Sequence, residues 1–104
     1  MTGIELITQE RKRQIEKEGW SIETDMELQP CGELAIAAMC YASPSDTGPF
    51  RFFRGKTCPA VWPWDASSWK PSLTKEGRIQ ELAKAGALIA AEIDRLQADK
   101  NEIW

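Results

Sequence analysis

Residues 74–100 read TKEGRIQELAKAGALIAAEIDRLQADK, and this stretch decides the fold. Ile79, Leu82, Gly86, Ile89, Ile93 and Leu96 recur at alternating spacings of three and four. Such spacings return side chains to one face of an α-helix, so the pattern predicts a helix over 74–100 with a packing seam. Glycine in a helix interior costs ~1 kcal/mol relative to alanine. On the seam, Gly86 therefore predicts a close backbone contact with another helix.

The partner that this predicts lies upstream. Residues 32–42 read GELAIAAMCYA, apolar on every face after Glu33. A helix apolar all round is expected to be buried or sandwiched, and its alanines would let a second helix approach closely. Pro30 is placed to open this helix, because its missing N–H costs nothing in a first turn. Pro44 ends it. Further upstream, Thr2 and Glu5 form a T-x-x-E capping box, which predicts a helix from Gly3 to Glu18. Ile4, Ile7 and Ile15 fall roughly on one face of it, with Arg11 between them. Glu10, Lys12, Arg13, Glu16 and Lys17 occupy the others, as a solvated face. Gly19 suits the C-terminal cap, and Trp20 is expected to fold back over the helix end. Residues 21–29 read as polar and irregular.

Between the second and third helices lie residues 43–73. They hold five of the six prolines and the aromatics Phe50, Phe52, Phe53, Trp62, Trp64 and Trp69. Structureless loops longer than ~12–15 residues are uncommon in compact domains, and such loops are often functional. Phe50-Arg-Phe-Phe-Arg-Gly-Lys56 also fits a short strand and turn. The expected architecture is one all-α domain over 1–104: three helices, with a long aromatic and Pro-rich loop between the second and third. Such a core is thin. A homodimer pairing the second and third helices into a four-helix bundle would cover it, and so would the aromatic loop within one chain.

Composition removes several function classes. The absence of histidine excludes His-based metal sites, His general bases and Ser-His-Asp or Cys-His groupings. A net charge of −3 argues against sequence-independent binding to duplex DNA. No apolar run approaches the ~20 residues that span a bilayer, so no membrane association is expected. The N-terminal segment carries no secretory signal pattern. Cys31, Cys40 and Cys58 are odd in number and lack C-x-x-C spacing, which fits free thiols in a reducing cytoplasm.

Three groups of residues are candidates for chemistry. Trp62, Trp64 and Trp69 lie close in sequence to Arg51, Arg54, Lys56 and Lys70. Flat rings stack on nucleobases, and guanidinium or ammonium groups hold phosphates. The bland alternative is that the rings cap the core and the cations solvate the loop. Glu33, Lys84 and Glu92 flank the apolar helical segments, either as an interhelical ion network or as a polar floor beneath the aromatic loop. Helical nucleotide hydrolases hold Mg²⁺ with E-x-x-E and E-x-x-D pairs. No glutamate here has an acid three positions after it, so Glu33, Glu92 and Asp94 would have to form a non-standard set.

Several motifs are specific as a set. They are Glu10-Arg-x-Arg-Gln14, Glu18-Gly-Trp20, Asp25, Gly32-Glu-Leu-Ala-x-Ala-Ala-x-Cys-Tyr-Ala42, Trp62-Pro-Trp64, Trp69-Lys-Pro71 and Lys84-Ala-Gly-Ala-Leu-Ile-x-Ala-Glu-Ile-Asp-Arg-Leu96. With them the chain, apart from 43–60, resembles a family of small proteins from tailed-phage and prophage genomes. The resemblance implies a bacterial cytoplasm and an accessory role during infection. By analogy of role, that includes sequestering host defence signals such as cyclic oligonucleotides or ADP-ribose derivatives in pockets of small oligomers.

Combined with the residues, this gives the expectation of a non-enzymatic nucleotide binder without cofactor or metal. Trp62, Trp64 and Trp69 would stack on bases. Arg51, Arg54 and Lys70 would meet phosphates. Glu33 would accept hydrogen bonds from a ribose or base, and Lys84 would lie in the floor. Two alternatives stay open: a protein-interaction inhibitor of a host enzyme, with the aromatic loop as its hot spot, and a metal-dependent helical nucleotide pyrophosphohydrolase.

Overall fold

The structure, a computed structural model, describes residues 1–43, 61–72 and 74–99. Its elements in chain order are α1 (Gly3–Lys17), α2 (Ile22–Leu28), α3 (Glu33–Ala42), a single 3₁₀ turn (Ala66–Ser68) and α4 (Lys75–Ala98). The fold is all-α, and the described residues contain no strand. No helix among them is long and apolar enough to cross a membrane. Arg51, Arg54, Lys56, Cys58 and the proposed strand at 50–56 lie outside the described residues.

Local chemistry sets the helix ends. The Thr2 hydroxyl accepts from the Glu5 N–H at 3.2 Å, and the Glu5 carboxylate accepts from the Thr2 N–H at 2.8 Å. This is the reciprocal box that the sequence predicts. At the other end Gly19 adopts a left-handed φ of +71°, and the Trp20 N–H turns back to the Gln14 carbonyl. Residues 22–28, read above as irregular, form α2 instead. Ser21 caps it by accepting from the Thr24 N–H, and Glu23 favours its positive N-terminal end. Pro30 does not open α3, which starts three residues later. Gly32 (φ +87°) makes the entry, and the Glu33 carboxylate reaches back to the Cys31 N–H.

α4 is the axis of the molecule and packs against α3, α1 and α2. Its contact with α3 is made of small residues around two leucines: Ala37, Ala38, Ala85 and Ala91 with Leu34 and Leu88, all buried. Tyr41, Trp62 and Trp69 close one end of this core. The Arg78 guanidinium donates to the Tyr41 and Ala42 carbonyls at 2.7 and 2.8 Å, tying the last turn of α3 to α4.

Three sequence expectations change here. α3 is not buried all round: Ala35, Met39 and Ala42 face solvent, while α4 and the aromatic turn cover its other side within one chain. Gly86 does not face α3. A Cβ placed on it would lie 2.5 Å from Ile7 Cδ1, so the close approach is between α4 and α1. The aliphatic seam of α4 is not a core face either, since Ile79, Leu82, Ile89 and Ile93 stay 40–50% exposed. On α1, Ile4 and Ile15 are likewise exposed, whereas Glu10 and Gln14 are buried.

Candidate functional site

A cleft of about 320 Å³ opens where α1, α3, α4 and the aromatic turn meet. One wall is aromatic: Trp20, Tyr41, Trp62 and Trp64. The rings stand edge to face. Trp62 lies 5.4 Å from both Tyr41 and Trp64 at nearly right angles, and Trp20 lies 6.1 Å from Trp64. Edge-to-face packing directs the positive edge of one ring at the negative face of the next. Hydrogen bonds fix the ring orientations. Trp62 Nε1 donates to the Asp65 carbonyl and to Ser68 Oγ, and Trp64 Nε1 donates to Gln29 Oε1 at 2.8 Å. Asp65 in turn caps the 3₁₀ turn through the Ser67 N–H, which holds its carboxyl below the usual aspartate value.

The α1 side of the cleft is polar and contains groups the sequence reading placed in solvent. Glu10 accepts two hydrogen bonds from Arg13, at 2.7 and 2.8 Å, and one from Gln14 Nε2 at 3.4 Å. That last bond fixes the Gln14 amide orientation, because a flip would set oxygen against carboxylate. Gln14 is 2% exposed, and its Oε1 has no hydrogen-bond partner. A buried acceptor left unpaired costs ~1–3 kcal/mol. Lys84 crosses from α4 with its Nζ 5.5 Å above the Tyr41 ring, a cation–π contact. Lys70, whose N–H donates to the Tyr41 hydroxyl, supplies a second cation.

The Trp20–Trp64 pair also walls a second cleft of about 460 Å³, bordered by Thr24, Asp25, Leu28 and Gln29. Asp25 is 3% exposed and its Oδ2 has no partner. Burial pushes its carboxyl above the usual value, against the pull of the Arg11 charge.

Of the predicted ligand residues, Trp62, Trp64, Lys70 and Lys84 line one cleft. Trp69 does not. It is buried behind them, 5.0 Å from Tyr41 and from Trp62, and serves the core. Glu33 stands apart at the start of α3, bound to the Cys31 N–H. Arg51 and Arg54 lie outside the described residues. The alternative carboxylates are engaged by arginines: Glu92 pairs with Arg95 at 2.6 Å, and Asp94 with Arg11 at 3.5 Å. Among the described residues, no group of three or more Cys, Asp or Glu is placed to hold a metal ion. Sequence reasoning missed Trp20, Tyr41, Glu10 and Gln14 as cleft residues. The one available signal was the i, i+4 spacing of Glu10 and Gln14, which puts two polar groups on one face.

Comparison with known proteins gives no matching family model, no matching curated protein and no matching solved structure.

Proposed function

We propose that this chain binds a small nucleotide in the 320 Å³ cleft and sequesters it without turnover. The observation that carries the proposal is the meeting of three features around one opening. They are half-buried tryptophan rings, two lysines, and a buried amide oxygen that lacks a donor. Each answers one part of a nucleotide. Trp64 and Trp20 offer ring surface to a base. Lys70 and Lys84 offer charge to phosphates. Gln14 Oε1 accepts from a base N–H or a ribose hydroxyl, recovering the cost of its present isolation. The opening is at the small end of ligand-site volumes. The resemblance to phage and prophage proteins supplies the setting, in which the nucleotide is a host defence signal such as a cyclic oligonucleotide or an ADP-ribose derivative.

Burial of Trp62 and Trp69 favours this pocket over the protein-interaction alternative. It withdraws two of the loop's three tryptophans from any partner's surface.

Calorimetric titration with cyclic di- and trinucleotides and ADP-ribose derivatives, without added metal, tests the proposal. At least one should bind and be recovered intact. Trp64→Ala should weaken it by ~1–3 kcal/mol, the worth of one stacked base. Lys84→Gln should weaken it too and reduce its salt dependence. Loss of the proposal follows if no ligand binds, or if both variants bind like the parent.

A further inference from the structure

The geometry points to a second copy of this chain as the cover of the α1–α4 aliphatic face, in an antiparallel, two-fold dimer. Ile7 sits on Gly86 and Arg11 pairs with Asp94, so α1 and α4 run in the same direction side by side. Their shared outer face carries Ile4 and Ile15 from α1, and Ile79, Leu82, Ile89 and Ile93 from α4. These six side chains are 40–78% exposed. Their exposed surface comes to roughly 600 Å², the upper end of what a monomer shows and most of the ~800 Å² per partner in a standard interface.

The order of residues selects the occupant. A two-fold interface must be complementary to itself: where residue i meets residue j, j meets i. The α4 seam reads nearly alike in both directions about Gly86. Ile79 and Ile93 each lie seven residues away, with Leu82 four before and Ile89 three after. An antiparallel pair centred on Gly86 therefore sets Ile79 against Ile93 of the second copy, and Leu82 against its Ile89. Spacings of three and four are those of knobs-into-holes packing. Two grooves are available to receive the knobs, one beside Leu6 and Ile79, the other beside Ile15 and Ala90.

The dimer leaves both nucleotide clefts open, because Lys84 and Leu88 project from another side of α4. This inference stands apart from the nucleotide proposal and can fail separately.

Light scattering on the full chain in solution tests it. The expected mass is twice the chain's 11.7 kDa. Leu82→Glu and Ile89→Glu, each at a half-exposed position, should each halve that mass while leaving far-UV circular dichroism unchanged. Met39→Glu, on the exposed side of α3, should keep the full mass. A parent chain of monomer mass overturns the inference. So would a dimer that survives both seam variants, or one that only Met39→Glu dissociates.

Discussion

The two long contacts of α4 follow opposite plans. Against α3 the interface is apolar and small-grained: alanines let the backbones approach, two leucines fill the middle, and an aromatic cluster closes the end. Against α1 one large side chain, Ile7, rests on a glycine. Leu6 and Ile7 lie beside buried Ala83, and polar Glu10, Gln14 and Arg11 also turn inwards, while Ile4, Ile15, Ile79, Ile89 and Ile93 stay exposed. The first contact carries most of the buried apolar surface and so most of the stability. The second holds buried groups whose hydrogen bonding is incomplete, and it borders the cleft. Stability and binding chemistry are thus placed on different sides of one helix.

Substitutions on the two sides should separate them. Leu88→Ala strikes the α3 side, where the side chain is 2% exposed. It should cost ~2–5 kcal/mol, measurable by denaturant titration, since a buried leucine leaves a cavity. A loss below ~1 kcal/mol would show that the α3–α4 contact is looser than described. Gly86→Ala strikes the α1 side. The new methyl would collide with three atoms of Ile7, at 2.5 to 3.2 Å. Overpacking of ~1–3 kcal/mol then outweighs the ~1 kcal/mol gained in helix propensity. In an Ile7→Ala background the same change should become stabilising. If the two substitutions prove additive, Gly86 and Ile7 do not meet.

Two smaller effects probe the polar side. The Asp25 carboxyl has a raised pKa in the folded chain because of burial. Its protonated form favours the fold, and that contribution is complete below the unfolded value near 3.8. It is lost as pH rises through the folded pKa. Asp25→Asn should therefore raise Tm at pH 7, with the gain shrinking as pH falls towards 3.8. A gain independent of pH would break the assignment. Thr2→Ala removes the α1 capping box and should cost ~1 kcal/mol. Hydrogen exchange should show that loss confined to the first turns of α1, with α3 and α4 unchanged.

Much of the fold was legible in the sequence because its helix ends carry local signals. Thr2 with Glu5, and Gly19, mark the two ends of α1 through chemistry within a few residues, whereas Pro30 misled, because the left-handed Gly32 makes the entry to α3. α2 was hidden because seven residues with a single apolar i, i+4 pair, Ile22 and Met26, are too short to show a period. The direction of each helix face was not legible. Heptad spacing of Ile79, Leu82, Ile89 and Ile93 shows that a face exists, but not which element covers it. The alanine face at 85 and 91 outcompeted it for α3, because small residues permit a closer approach. The clustering of Trp62, Trp64, Lys70 and Lys84 followed from residue type. Glu10, Gln14 and Trp20 did not, since a helix that docks by its polar face defies the hydropathy pattern.

The aromatic cluster also makes the protein its own optical probe. Trp20, Trp62, Trp64 and Trp69 form a chain of ring contacts 5 to 6 Å apart, with Tyr41 among them. Transitions in rings so close and so fixed in angle mix, and their near-ultraviolet dichroism belongs to the cluster rather than to single residues. That signal reports the junction of α3, the aromatic turn and the cleft. A ligand stacking on Trp20 or Trp64 should change the near-ultraviolet signal, so occupancy can be followed without any label.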